Sequence, residues 1–328
     1  MNIHSNPKQR VLTSGSQRQV KGAIGRFLGL AFLLFALRAD GQTSLDQVVA
    51  DFQSHLADIT NAEATYTYVG QENKDPAFAG TKQVHDFVGH WLYANGKELI
   101  DWKVDKEVLA NLGQDDEAKA YRKNYGQTIY LYNSQKNYTV VYNPVTQSAQ
   151  IQKGRKVHGS PPSNFFERVS NPFGQTIVDL IKGNKTAKLV TAPKKPDDPV
   201  VIGFELPHNE GIEYEISLLP SKGYRPVKTQ ISSDKGNRTE VSDIELVLRN
   251  GVWFPALVEY QDKSTDGKID HHVTWMCTDI RVNEPTFDVS RLDLKLQKGT
   301  TVTDLRNGKT VVLNSDEEAR SFIASLDK

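Results

Sequence analysis

Reactive side chains in this chain do not occur at the spacings that catalysis needs. The 328 residues contain no Gly-x-Ser-x-Gly turn, no His-Glu-x-x-His motif and no complete Gly-x-x-x-x-Gly-Lys-Ser/Thr phosphate loop. Ser-x-x-Lys matches occur at residues 232–235, which span a predicted turn, and at residues 325–328, which end the sequence. We therefore predict that the protein is not an enzyme. A hydrolase with an unrecognised site is the alternative.

Two patterns resemble metal sites but lack essential ligands. Residues 262–267 match the start of a calcium loop, whereas Val273 occupies the twelfth position, where a bidentate glutamate is needed. His271 and His272 are adjacent, so in a strand they point to opposite faces and cannot bind one metal by themselves. We expect no metal and no cofactor, and we interpret 262–267 as a tight hairpin turn.

The first 41 residues have the features of a cleaved signal peptide. Basic residues precede an apolar run over 27–37, and the small residues Ala39 and Gly41 follow it. The run is shorter than the roughly 18 to 20 residues that span a bilayer, and no cysteine lies near the junction. We expect cleavage after Gly41, a periplasmic or secreted location, and no integral membrane segment after cleavage.

Composition argues against some classes of partner. Forty basic and forty acidic side chains give a formal net charge of zero, which does not favour nucleic acid or an anionic membrane surface. The single cysteine, Cys277, cannot form an intramolecular disulfide. It is predicted to be a small buried hydrophobe in a strand.

Three segments show the apolar spacing of helices. The first covers 44–60, with Ser44 as the N-cap and Gln47 completing a capping box. The second covers about 104–124. The third covers 164–181 and is the most apolar.

The remainder of the sequence predicts short strands. Residues 129–132 and 138–142 predict a hairpin with tyrosines along one face, and 212–218 alternate as a half-buried strand. Four longer strands follow over 224–282 as an antiparallel meander, which brings the total to roughly ten to twelve. A sheet of that length accumulates twist and curls, so it has an inside that is either packed solid or open to a ligand.

The order of these elements resembles a known family. The features that carry the resemblance are the helix 45–59, the strand 64–69, the hairpin tip 93–97, Gly223-Tyr224-Arg225-Pro226, and Phe287-Asp288-Val289 before Lys298-Gly299-Thr300. Together they are similar to the periplasmic lipoprotein-sorting carriers of the LolA/LolB type.

This resemblance implies an α+β, mainly antiparallel β fold. The expected architecture is a curled half-open barrel of about eleven strands covered by two or three helices, over 42–310, followed by a C-terminal helical tail over 311–328. The family also implies an apolar cavity for lipoprotein acyl chains and a single buried arginine that holds the lid. Arg225 is a candidate, although Tyr-Arg-Pro is more typical of an exposed strand start.

Aromatic residues are the candidate ligand-binding residues, with ordinary core packing as the alternative. The side chains that we expect to line a cavity are Tyr66, Tyr68, Tyr130, Tyr132, Tyr138, Tyr142, Phe165, Phe166 and Phe173. Because Pro172 and Gly174 interrupt the third helix, we also expect that segment to be a mobile lid. The predicted function is a carrier of lipid or lipoprotein acyl chains. The alternative is an envelope sensor or interaction module that recognises a protein partner with the same fold.

Overall fold

A computed structural model describes most of the chain beyond residue 43. The described residues are 44–72, 87–104, 116, 119, 122–123, 126–154, 177–205, 211–233, 238–264 and 269–328. They belong to one compact unit, Ser44–Lys328. The predicted signal peptide, and the part of the predicted lid that contains Phe165, Phe166 and Phe173, lie outside the described residues.

Fifteen strands form a single sheet in the described part of the chain. They are β1 (Asn61–Glu72), β2 (Phe87–Ala94), β3 (Lys97–Val104), β4 (Gln127–Asn133), β5 (Tyr138–Asn143), β6 (Ser148–Lys153), β7 (Lys188–Thr191), β8 (Val200–Glu205), β9 (Ile212–Leu219), β10 (Arg225–Ser233), β11 (Arg238–Arg249), β12 (Val252–Ser264), β13 (Ile269–Val282), β14 (Thr301–Asp304) and β15 (Lys309–Val312).

The sheet is open and almost entirely antiparallel. Its order is β15-β14-β6-β5-β4-β3-β2-β1-β13-β12-β11-β10-β9-β8-β7, so β15 and β7 form the two edges and do not pair with each other. Only β14 and β6 pair in parallel among the described strands. The long pairing of β1 with β13 joins the two halves of the chain at the middle of the sheet.

The described helices longer than one turn are α1 (Leu45–Ala57), α2 (Ile177–Gly183) and α3 (Asp316–Leu326). The Ser44 side chain accepts from the Gln47 backbone N–H, as the N-cap prediction requires. Nε2 of the Gln47 side chain donates to Asp51 one turn later at 2.9 Å.

The pleat gives the sheet two faces of different character. Residues directly opposite each other in an antiparallel pair point to the same face, and successive residues alternate. By this rule Ala64, Trp91 and Ile100 share one side, which we call the aromatic face. Leu92 and Leu99 share the other side, which we call the strap face.

Different segments cover the two faces. On the strap face, the apolar residues of β2 to β6 pack against the chain at Leu292–Leu296 and against α3. On the aromatic face, α1 and α2 pack on β8 and β9, with the α1 residues Val48, Val49 and Phe52 fully buried. Burial of each such side chain contributes about 1.5–3 kcal/mol, so this stripe is what holds α1 to the sheet.

The sheet curls towards the aromatic face. Trp91 on β2 and Phe254 on β12 are three strand positions apart, which corresponds to about 14 Å in a flat sheet. Their ring centroids are nevertheless only 5.7 Å apart. Register shifts at Pro226 in β10 and beside Pro255 in β12 supply local bends, because bulges increase twist and accommodate a residue that cannot donate to the ladder.

The predicted fold class is confirmed, and the strand count is larger than predicted. Among the additions are β14 and β15, beyond residue 282, where the last predicted strand ends. These two strands have four residues each, which is too short for a clear alternating pattern. Val104, predicted to begin a helix, instead ends β3, and of the following segment residues 116, 119, 122 and 123 have helical backbone. The segment 311–328 contains the end of β15 and α3.

Candidate functional site

A row of aromatic side chains crosses the middle of the aromatic face. It takes one residue from each of five neighbouring strands: Trp102 (β3), Phe87 (β2), Tyr68 (β1), Trp275 (β13) and Tyr260 (β12). The ring centroids are 4.9 Å apart for Phe87 and Trp102, 5.7 Å for Tyr68 and Phe87, 5.5 Å for Tyr68 and Trp275, and 6.5 Å for Tyr260 and Trp275. We call this set the aromatic row.

All five rings of the aromatic row are half-buried. Five flat strands would make the row about 19 Å long, but the centroids of Tyr68 and Trp102, two strands apart, are only 6.2 Å apart, so the curl of the sheet shortens the row. Among the described helical residues, only Leu56 of α1 joins the central apolar cluster of this face. The row therefore combines an extended apolar surface with partial exposure, which is what a long apolar ligand requires.

Tyr66 lies beneath the row and is fully buried. Its ring runs over Gly89 and meets Trp102 edge-on, with centroids 6.0 Å apart. Gly89 is required here, since a Cβ atom at this position would lie 2.0 Å from Cζ of Tyr66. The Tyr66 hydroxyl has no hydrogen-bond partner among the described residues.

Burial keeps the Tyr66 phenol and the Cys277 thiol neutral. It raises the pKa of Tyr66 well above its usual value and raises the pKa of the neighbouring Cys277 thiol to about 12. Cys277 is thus a buried hydrophobe, as predicted, and not a nucleophile at neutral pH. The buried carboxylate of Glu98 accepts from Nε1 of Trp91 at 2.8 Å.

The nine predicted site residues do not all lie together. Tyr66, Tyr68, Tyr130 and Tyr132 are on the aromatic face, because β4 continues the register of β3. Phe165, Phe166 and Phe173 lie outside the described residues. The remaining two, Tyr138 and Tyr142, are on the strap face.

The prediction that tyrosines line one face of the β4–β5 hairpin was wrong. Tyr138 pairs with Asn133 and Tyr142 with Ile129, so they alternate with Tyr130 and Tyr132 rather than joining them. Both are fully buried in the core under α3. They therefore cannot line the same surface as the other tyrosines.

Tyr138 has a structural partner at the end of α3. Its hydroxyl donates to Asp327 at 2.7 Å, and Asp327 also accepts from Lys97 at 2.6 Å and Asn133 at 2.8 Å. Burial raises the pKa of Asp327, but these hydrogen bonds outweigh it, and the net pKa is lowered. Burial and the contact with Asp327 raise the pKa of Tyr138.

Sequence reasoning missed Phe87, Trp102, Tyr260 and Trp275. The available signal was period-two alternation: Trp102 follows Ile100, Tyr260 follows Val258, and Trp275 precedes Cys277, each two residues apart. Assigning those strands to one shared face required the β1–β13 pairing, which links residues more than 200 positions apart.

A second concave region lies at the C-terminal end of α1. It is a cleft of about 310 Å³ lined by His55, Asp58, Ser221, Lys222, Gly223, Arg225, Asn250, Gly251, Val252, Trp253 and Asn283. Arg225 is 3% exposed, and its Nη2 donates to the His55 backbone carbonyl at 3.0 Å. The exposed strand start suggested by the Tyr-Arg-Pro sequence is therefore wrong, because the guanidinium ties α1 to β10.

Metal ligation and membrane spanning have no support in the described residues. Within them, no three His, Cys, Asp or Glu side chains come together as a metal site, and Asp262 is a buried residue of β12. Residues 265–267 of the predicted turn lie outside the described residues. No described helix has the length and apolar character to cross a membrane.

The similarities of this chain to known proteins are found among solved structures. No family model and no curated protein matches the chain. Among solved structures, the chain is similar to a domain described as an outer membrane lipoprotein-sorting protein from Vibrio parahaemolyticus, with 11% identity, a TM-score of 0.46, and coverage of 75% of this chain and 95% of that one. It is similar to a LolA superfamily protein from Nitrosomonas europaea, with 9% identity, a TM-score of 0.44, and coverage of 74% and 95%.

A chain of the Pseudomonas aeruginosa MucA/MucB complex is also similar, with 10% identity, a TM-score of 0.28, and coverage of 75% of this chain and 60% of that one. The first two structures carry the name of the family that the sequence resembles.

Proposed function

We propose that this protein is an exported carrier that holds the acyl chain of a lipid or lipoprotein on its aromatic face. The aromatic row is the observation that supports this proposal most directly. Five half-buried rings from five adjacent strands form one apolar strip on the concave side of an open sheet. The basic and apolar leader supports a periplasmic or secreted location.

The dimensions of the row suit one acyl chain. Half of a bilayer's hydrocarbon core is about 15 Å deep, which is the reach of one lipid tail, and the ring separations from Trp102 through Tyr68 and Trp275 to Tyr260 are 6.2, 5.5 and 6.5 Å, a path of similar length. Each methylene fully buried from water contributes about 0.8 kcal/mol, and one lying on the row contributes part of that. A chain lying across all five rings would therefore bind without any charged partner.

Three of the predicted tyrosines are proposed contacts, and a fourth, the fully buried Tyr66, supports them. Tyr66 supports the row from below, Tyr68 belongs to it, and Tyr130 and Tyr132 continue the same face on β4. Tyrosine suits such a surface because its ring is apolar and its hydroxyl can meet a carbonyl or headgroup. Phe165, Phe166 and Phe173 remain proposed contacts from the segment outside the described residues.

Lipid extraction tests the proposal first. The protein is purified without detergent, extracted with organic solvent, and titrated after delipidation with a fluorescent fatty acid. Co-purified lipid and saturable binding are the expected results. Finding neither would contradict the carrier role.

A pair of tryptophan variants then tests the location. Trp275→Ala removes the ring at the centre of the row and is expected to weaken fatty-acid binding about tenfold, the equivalent of one lost aromatic contact. Trp253→Ala is the matched control, since Trp253 is also half-buried but lies at the cleft on β12. Equal weakening of fatty-acid binding in both variants would show that the aromatic row is not the binding site.

The alternative function, recognition of a protein partner, is distinguished by crosslinking in cells. A photo-crosslinker at Tyr68 is expected to trap lipid or lipoprotein. Reproducible capture of one protein without lipid modification would contradict the carrier role and would indicate that the protein is an interaction module.

A further inference from the structure

The strand β7 is an open edge of the sheet that the aromatic row does not use. It pairs with β8 on one side and is the last strand in the order of the sheet. An edge strand presents backbone N–H and C=O groups that have no partner within its own sheet. An extended polypeptide can pair with such groups, whereas a lipid surface offers no matching ladder. The edge therefore favours a peptide as its partner.

Exposed lysines surround this edge. Two precede β7, one begins it and two follow it: Lys182, Lys185, Lys188, Lys194 and Lys195. We call these five residues together with β7 the lysine edge. Residues 182–198 contain these five lysines and two aspartates, a local formal charge of +3 in a chain whose formal charge is zero. Among the described residues none of the five forms an ion pair, not even with Glu205 and Glu215 of the next two strands.

Contacts on the inner side hold the lysine edge in place. Leu189 packs against the apolar cluster beneath α1 and α2. The Thr186 hydroxyl accepts from the Glu205 backbone N–H at 2.8 Å. Beyond β7, the Asp198 carboxylate accepts from the backbone N–H groups of residues 194 and 195 at 3.1 and 2.9 Å. The backbone that carries the lysines is thus already ordered, which reduces the entropy lost when a partner binds.

Val190 places an apolar contact between the lysines. Its side chain is 48% exposed. The register of β7 against β8 shifts between Leu189 and Thr191, so Val190 has no partner residue in β8. It lies beside Gly203 of β8, where an added Cβ would be 2.9 Å from Cγ2 of Val190. A partner strand that matches this edge therefore needs one apolar side chain with acidic side chains on both sides of it.

A second copy of this chain does not fit the lysine edge. Pairing β7 with β7 of another copy would bring two sets of lysines together, and like charges on neighbouring strands are destabilising. The other edge strand, β15, begins with Lys309, so it has the same sign of charge. Edge lysines of this kind discourage pairing between copies and leave an acidic chain as the complementary partner.

We propose that the lysine edge binds an acidic peptide segment, which pairs with β7 as an added strand. The segment's carboxylates lie beside the lysines and its apolar residue lies against Val190. Because β7 has only four residues, the ladder contributes few hydrogen bonds and the charges contribute much of the affinity. Binding should therefore weaken strongly as the salt concentration rises from about 0.1 M to about 1 M, where the screening length falls to about 3 Å.

A designed peptide tests the proposal on the full chain by fluorescence anisotropy. The probe is a labelled heptapeptide, Glu-Glu-Thr-Val-Thr-Glu-Glu, whose symmetric sequence suits either strand direction. With its valine opposite Val190, a glutamate two positions away lies opposite Lys188. Saturable binding is expected, and the same peptide with lysine in place of glutamate should not bind. Replacing both threonines with proline keeps the charge but removes two backbone donors, so this peptide should bind more weakly.

Matched double variants test the location. Lys185→Gln combined with Lys188→Gln is expected to weaken binding about tenfold, because two exposed charge contacts are lost. Lys153→Gln combined with Lys228→Gln makes the same change of charge at exposed positions of β6 and β10 and should match wild type. All four side chains are exposed, so both variants should keep the thermal unfolding midpoint of wild type.

Three results would overturn the proposal. They are no saturable binding of the glutamate peptide, equal binding of the threonine and proline peptides, and equal weakening in the two double variants. Flotation with phosphatidylglycerol vesicles distinguishes a membrane surface as the partner. Vesicle binding that is lost in the Lys185 and Lys188 double variant, without peptide binding by wild type, would assign the lysine edge to anionic lipid instead. Fatty-acid binding is measured separately, so none of these outcomes decides the carrier proposal.

Discussion

Gly89 lets a single added methyl group test how the aromatic face is packed. A Cβ there would lie 2.0 Å from Cζ and 2.3 Å from the hydroxyl oxygen of Tyr66. The ring cannot simply turn away, because Tyr66 is fully buried and Trp102 meets its edge. Overpacking of this kind costs about 1–3 kcal/mol. Gly89→Ala is therefore expected to lower the free energy of unfolding by at least about 1 kcal/mol.

The clash can be assigned to Tyr66 with a double-mutant cycle in urea. Tyr66→Leu removes Cζ and the hydroxyl, so it leaves room for the added methyl at the cost of about 2–4 kcal/mol for the lost ring. The double variant should then be more stable than the sum of the single effects predicts, by about 1 kcal/mol or more. Gly183→Ala is the control, since its Cβ would meet no atom within 4 Å. Additivity within about 0.5 kcal/mol would refute the proposed packing.

Three further variants test contacts that hold elements to the sheet. Asp327→Ala removes the acceptor of three hydrogen bonds at the end of α3 and should destabilise the fold by about 1.5–3 kcal/mol, measured by urea unfolding. Glu63 has a pKa lowered from 4.5 to about 2, mainly by Arg291, so its stabilisation is present above pH 4.5 and is lost as the pH falls towards 2. Glu63→Gln should remove that dependence, and an unchanged pH profile of unfolding would contradict it. Arg225→Met should weaken the attachment of α1, seen as faster amide exchange at His55, and unchanged exchange would show that the guanidinium does not hold the helix.

Local patterns predicted several elements well. The helix after Ser44 was recognised from its cap and apolar spacing, and it forms as α1. The strand β9 was recognised from alternation, and Tyr214 and Ile216 are buried on one side as expected. These signals succeed because each depends on residues within a few positions of one another.

Non-local pairing explains what the sequence did not reveal. The β1–β13 ladder brings Tyr68 beside Trp275, and no local signal encodes that register. The β4–β5 hairpin was recognised, but its tyrosines were assigned to one face although their register divides them. Arg225 was interpreted from its immediate neighbours, whereas its burial depends on α1, 170 residues away.

Fluorescence quenching by a brominated fatty acid tests the carrier proposal most directly. The four tryptophans are native reporters, of which Trp102 and Trp275 belong to the aromatic row and Trp253 lies at the distant cleft. Bromine quenches only rings in contact with the chain, so saturating wild type should reduce emission strongly. The quenched amplitude should fall in Trp275→Phe and stay the same in Trp253→Phe. Full quenching in Trp275→Phe with loss in Trp253→Phe, or no quenching at saturation, would contradict acyl-chain binding on the aromatic row.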